Sequence, residues 1–260
     1  YYNLNYKILI KAILHDPITL LNDSTQVFIK QLVDFGEIVS GVENSNKYQV
    51  VSKMKDSLVE NEFMPLFFAI DDSSSCSKCC TNISANMQIK LKQMKNQKIS
   101  EDFDSNNFAI FSKDFSCSCF GCSIELKGNY RTKEGSCFGV ISKKYTSGDP
   151  VFEIKSPQGI VLYSIITENC QCGLCCGSCC FSYQKIVFNI HKGMASNISG
   201  RNNVNTEKNK VIGTISKNSV QLNTIKSDSN NLSITFPTDA TPENKLSMIG
   251  VAMLINFYYY

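Results

Sequence analysis

The chain has only two histidines among its 260 residues, which leaves little on which to build general acid–base catalysis. His15 precedes Asp16 and Pro17, and His191 sits beside Lys192 and Gly193; both are expected at the surface rather than as general bases. A Cys–His pair is arithmetically available, but no local signature singles one out. No Walker loop and no dinucleotide glycine fingerprint is present, so nucleotide chemistry has no platform. Strong charge of one sign is also missing. A formal net charge of +3 with 19% charged residues gives no polyanion footprint, and no Lys/Arg cluster alternates with aromatics, so nucleic acid is not an expected partner. Nor does any apolar run reach the roughly 20 residues a bilayer demands. The uncharged apolar stretch Leu246 to Tyr260 rises only about 22 Å as a helix. Finally, the chain opens on Tyr1 instead of Met, without the charged and apolar regions of a secretory signal, and reads as a fragment or a processed form.

What is present is apolar and β-like. With 43% hydrophobic residues the chain can bury a sizeable core, and one large domain is expected. Short strand-like segments separated by turn residues recur around Val27 to Ile29, Tyr48 to Val51, the wholly apolar run Leu66 to Ile70, Met87 to Leu91, Asn107 to Phe111 and Ser123 to Leu126. The rhythm continues through Phe138 to Ile141, Val151 to Ile154, Ile160 to Ile166, Lys185 to Ile190, Val211 to Ile215 and Leu232 to Phe236. About a dozen strands before one helix point to an all-β barrel or sandwich, not to alternating βαβ units. That helix is expected over 242–260. Thr241 can cap it, Pro242 suits its first turn, and Glu243 faces the positive end of its dipole. Being apolar nearly all round, it must be buried, and its length favours a place inside the β-structure over a membrane span. Tyr1 to Leu21 reads as an irregular lead-in, with Pro17 breaking any helix begun at Ile8, so the domain is expected over 22–260. The polar stretches Lys92 to Asn107 and Met194 to Lys210 read as mobile surface loops.

Thirteen cysteines are unusually many, and they are clumped: Cys76, Cys79 and Cys80; Cys117, Cys119 and Cys122; then Cys170, Cys172, Cys175, Cys176, Cys179 and Cys180. Adjacent cysteines rarely suit disulfide geometry, so a reducing compartment is expected. Three readings stand. Cys-x-x-Cys spacing lets two thiolates reach one tetrahedral Zn²⁺, the thiols could carry acyl chains into a membrane, or they could simply pack. The sequons beginning at Asn22, Asn82, Asn197 and Asn231 are what chance supplies in so Asn- and Ser-rich a chain.

In order along the chain stand Thr25-Gln26-Val27-Phe28-Ile29, Gly41 to Tyr48, Phe67 to Asp72 running into Cys76-x-x-Cys79-Cys80, and the second and third clumps. Val211 to Lys217, Asn231 to Asp239 and Ile249 to Phe257 follow. This ordered set resembles the phospholipid scramblase family over about Ile13 to Tyr260. The resemblance implies a tubby-like fold, a closed antiparallel barrel of about twelve strands around a central C-terminal apolar helix. It also implies movement of phospholipids between membrane leaflets in response to Ca²⁺, without covalent chemistry, by an intracellular protein associated with the cytoplasmic side of a membrane. Its clustered cysteines would be acylated. The middle clump departs from the family in having Phe120-Gly121 where further Cys and Pro tend to stand, and the family's Pro-rich leader is absent.

For Ca²⁺, a twelve-residue loop would take oxygens from Asp228, Asn230 and Asp239, but Ser233 falls where Gly is wanted. The alternation of Leu232, Ile234 and Phe236 reads better as a strand. The tyrosine-rich end, Phe257 to Tyr260, reads as a plug for the barrel mouth, with a membrane interface as the other reading. Two functions therefore remain: a scramblase-like protein acting on a phospholipid membrane, or a non-enzymatic tubby-like binding or scaffold domain with protein partners in a larger assembly.

Overall fold

The computed structural model describes residues 17–32, 47–54, 63–71, 87–93, 107–113, 124–130, 135–146, 149–167, 186–194, 210–217 and 232–259. A short helix, α1 (Pro17–Asp23), leads into twelve strands. These are β1 (Ser24–Leu32), β2 (Lys47–Met54), β3 (Phe63–Asp71), β4 (Met87–Gln93), β5 (Asn107–Lys113) and β6 (Ile124–Tyr130). Then come β7 (Cys137–Thr146), β8 (Asp149–Lys155), β9 (Val161–Thr167), β10 (Ile186–Lys192), β11 (Gly213–Lys217) and β12 (Leu232–Thr235). The chain closes with the helix α2 (Pro242–Tyr259). Every strand pairs antiparallel with its neighbour in sequence, and β12 pairs with both β11 and β1, so the wall is a closed up-and-down barrel.

All twelve strands coincide with segments legible as strands in the sequence, and the inward set is the apolar one: Val27 and Ile29, Ile89 and Leu91, Phe152 and Ile154, Phe188 and Ile190 belong to one core. A barrel of eight strands is filled by its own side chains, whereas one of sixteen or more holds water. Twelve strands enclose a space between these limits, and α2 occupies it. Each residue from Lys245 to Asn256 is buried, whichever way it points. Thr241 caps the helix, its hydroxyl accepting the Asn244 amide at 3.4 Å. Among the described residues no helix is long and apolar enough to cross a membrane.

Two expectations change. Pro17 starts a helix, because its missing amide is an orphan in a first turn anyway; the expected break of a helix begun at Ile8 concerns residues outside the described ones. Leu20 and Leu21 of that helix join the barrel core, so the lead-in is not irregular over 17–21. Lys92, assigned to a polar loop, is a buried residue of β4. Residues 94–106 of that stretch and nearly all of the second polar stretch lie outside the described residues, as do the side chains of Phe257 to Tyr260.

The helix meets the wall most closely at β7. Gly139 lies where a Cβ would come within 2.8 Å of the Ser247 hydroxyl, and a Cβ on Gly250 would meet Ile141 at 2.7 Å and the Phe111 ring at 2.8 Å. Gly250→Val is therefore expected to destabilise the fold by about 2–3 kcal/mol through overpacking. That corresponds to a fall in Tm of roughly 5–10 °C in calorimetry, and an unchanged Tm would show that the helix is not seated against β7.

Candidate functional site

In an up-and-down barrel the connections alternate between two rims. The connections after β1, β3, β5, β7, β9 and β11 all leave from the rim where α2 ends; those after the even strands leave from the rim where α2 begins. All three cysteine clumps fall in the first set. Cys76, Cys79 and Cys80 lie between Asp71 and Met87, Cys117, Cys119 and Cys122 between Lys113 and Ile124, and Cys170 to Cys180 between Thr167 and Ile186. These twelve cysteines lie outside the described residues, and so do Asp228 and Asn230, between Lys217 and Leu232. The thirteenth, Cys137, is free and starts β7, with its thiol 3.5 Å from the Gly139 carbonyl. Among the described residues no three His, Cys, Asp or Glu side chains group as metal ligands.

Asp239 follows β12 and so stands at the opposite rim from the segment that carries Asp228 and Asn230. The strand Leu232–Thr235, hydrogen-bonded on both edges, separates them, so the three donors are not presented by one loop. The Asp239 carboxylate instead accepts from the Lys192 ammonium and, at 3.5 Å, from the Tyr163 hydroxyl. Lys192 holds the Asp239 carboxyl below the usual range. Burial, reinforced by that carboxylate, pushes Tyr163 up to about 12. Beside them the Tyr130 hydroxyl donates to Glu243 at 3.3 Å, tying β6 to the first turn of α2.

One turn deeper, Lys245 is buried against the end of α1. Its ammonium donates to three backbone carbonyls, those of Leu21 at 3.1 Å, Asn22 at 2.7 Å and Ser24 at 2.8 Å, and lies 5.5 Å from the centre of the Phe236 ring. A cation at a helix C-terminus satisfies carbonyls that have no partner within the helix and complements its dipole. The sequence signal for this was slight, a single lysine opening an apolar helix.

At the other end Lys217 of β11 points inward and donates to Asn256 Oδ1 at 3.0 Å, and Asn256 Nδ2 donates to the Tyr48 hydroxyl at 2.9 Å. The tie runs from β11 through the last turns of α2 to β2. Lys143 of β7 also points inward, 6.0 Å from the centre of the Phe152 ring. Burial lowers both amines from 10.5, Lys143 to about 8 and Lys217 to about 7. His191, expected at the surface, is buried as well, because it is paired across from Ser164 within the ladder of β9 and β10.

The lowered amines set a pH dependence. Between their folded values and 10.5 the unfolded chain binds more protons than the folded one, so stability rises with pH through that window. The denaturation midpoint is expected to increase from about pH 7 to about pH 9, and Lys217→Met is expected to flatten the rise. A midpoint that falls over the same interval, or a slope the substitution leaves unchanged, would count against inward-facing lysines.

Comparisons with known proteins identify relatives of this chain. A family model described as Scramblase matches residues 7–192, that is, through the last residue of β10. Phospholipid scramblase 1 of Rattus norvegicus is 20% identical over 243 residues, which cover 92% of this chain and 61% of the relative. Phospholipid scramblase 1 of Homo sapiens is 22% identical over 241 residues, 92% of this chain and 64% of the relative. Phospholipid scramblase 2 of Bos taurus is 22% identical over 243 residues, 92% and 70% respectively. This chain thus spans less than two thirds of the length of the scramblase 1 proteins it matches. No solved structure matches it. With the match running through ten of the twelve barrel strands, the chain belongs to the Scramblase family.

Proposed function

We propose that this chain is a scramblase-like protein that acts on phospholipid membranes, lowering the barrier to exchange of lipids between leaflets and making no covalent bond. The observation that carries the reading is the ordered family match over residues 7–192. The fold constrains how it would work. Because α2 fills the barrel, a lipid headgroup has no route through the interior, so transport has to proceed along the outside of the wall, by local thinning of the bilayer or through an oligomer. A cytoplasmic-side location and a response to Ca²⁺ belong to the same proposal. The same filled interior favours the second reading, a non-enzymatic binding or scaffold domain.

Liposomes carrying fluorescent phospholipids and the reconstituted chain decide between the two. Leaflet exchange above the protein-free rate is expected, rising on addition of Ca²⁺. Exchange indistinguishable from empty liposomes, with or without Ca²⁺, would leave the scaffold reading.

The three cysteine clumps are proposed to hold Zn²⁺. Their connections are anchored at one rim, and the first two are neighbours around the wall, which suits thiolate pairs converging on a tetrahedral ion. Acylation is the competing chemistry. At least one tightly held zinc per chain is expected in elemental analysis of the purified protein; a zinc-free preparation of unchanged stability would overturn the assignment.

A further inference from the structure

Among the described residues three large hydrophobic side chains are exposed: Ile160 at 64%, Met194 at 50% and Val211 at 40%. They are far apart in sequence and close in the fold. Ile160 ends the turn between β8 and β9, Met194 follows β10, and Val211 precedes β11. The Gly193 amide donates to the Leu162 carbonyl, and the Ile212 amide to the Ile190 carbonyl, each at 2.9 Å. That register brings the three positions to one corner of the rim where α2 begins.

The corner is built. Pro157 supplies the fixed backbone angle of the turn, and Gly159 adopts φ +84°, a conformation other residues take only with strain. The Ser156 amide donates to the Ile160 carbonyl at 2.8 Å, and the Gly159 amide to the Ser156 carbonyl at 2.9 Å. The Ile160 amide donates to the Ser156 hydroxyl at 3.3 Å. A turn closed three times over holds a bare isoleucine outward at no further entropic cost, an arrangement that does nothing for the barrel core.

Charge surrounds it. Lys192, its side chain 70% exposed, and the exposed Lys210 stand on the neighbouring strand ends, with Lys155 at the foot of the turn. Asp239 partners Lys192 and Glu125 partners Lys155, so these side chains together remain net positive. Apolar side chains at the tip of a rigid turn, beside Lys192 and Lys210 and a small net positive charge, match the layered chemistry of a bilayer surface, with acyl chains below and phosphates above.

We propose that this corner is where the protein meets the membrane. Ile160, with Met194 and Val211, enters the interfacial layer of a bilayer containing anionic phospholipid, and the lysines lie at the level of the phosphates. The inference rests on the membrane reading above and adds its point of contact. It assigns that contact to the rim opposite the cysteine clumps, so it requires no acyl chain.

The chain contains no tryptophan, so Ile160→Trp introduces a single fluorescent reporter at the tip. On addition of vesicles of phosphatidylcholine and phosphatidylserine, its emission is expected to shift to the blue and to be quenched by brominated acyl chains. Lys30→Trp, on the exposed outer wall of β1, is expected to do neither. In co-sedimentation with the same vesicles, Ile160→Asp is expected to weaken partitioning about tenfold, the loss of one buried isoleucine. Lys210→Glu is expected to weaken it severalfold at low salt and not with pure phosphatidylcholine. If the unsubstituted chain sediments but Ile160→Asp sediments equally well and the emission of the introduced tryptophan stays put, this contact is wrong while the membrane reading stands. If the unsubstituted chain sediments with neither vesicle, both fall, and the corner is left to a protein partner.

Discussion

A helix that is apolar on every side cannot rest on a sheet; it has to be surrounded. From Lys245 to Asn256 every residue of α2 is buried, and the consequence is a wall that closes. The closure is made by β12, four residues long, whose two edges pair with β1 and β11. The dependence is mutual. Without the helix, twelve strands would enclose a space too wide for their own side chains to fill, and with it the core is continuous from the strands to the axis.

Apolar contact alone would let such a helix slide or turn in its sleeve, since dispersion and burial carry no direction. Position comes from a few polar ties at either end. Lys245 fixes depth at one end by satisfying three carbonyls where α1 meets β1, and removal of its amine would leave buried acceptors without donors. Glu243 with Tyr130 sets rotation there. At the other end Asn256 is held between Lys217 and Tyr48. Between the two ends, Gly139 and Gly250 let the helix approach β7 more closely than any side chain would permit.

Much of this was legible in the residues. Short apolar segments between turn residues, most of them alternating and one, Leu66 to Ile70, apolar throughout, located the strands, and the short uncharged stretch after Thr241 located the helix and its burial. Strand ends were less legible, since the ladder runs on past the last apolar residue, as β7 does through Lys143 and Lys144 to Thr146. What periodicity could not show was which polar residues turn inward. Lys143, Lys217 and Lys245 look like ordinary surface lysines in sequence, and their burial is decided by partners far along the chain or by rings across the wall. The helix over 17–23 was missed for a related reason: a proline can open a helix as well as end one, and only the packing of Leu20 and Leu21 shows that this one opens α1. For the cysteine clumps, spacing was readable from the residues alone, while the shared rim follows only once strand parity is known.

A filled barrel changes where a lipid-handling activity can reside. In a barrel with an open lumen, the lining residues decide what passes. Here the inward set is spent on holding α2, so the variable surfaces are the outer wall and the two rims. The rims are chemically unlike. One anchors the connections bearing twelve thiols, while the other carries exposed Ile160, Met194 and Val211 among lysines. A closed up-and-down wall enforces that division, because each connection is assigned to a rim by strand parity alone. Insertions at one rim can therefore lengthen or acquire metal-binding residues without disturbing the contact proposed at the other. Such a protein would work on a bilayer from its surface, with the buried helix as a rigid spine and not as a gate.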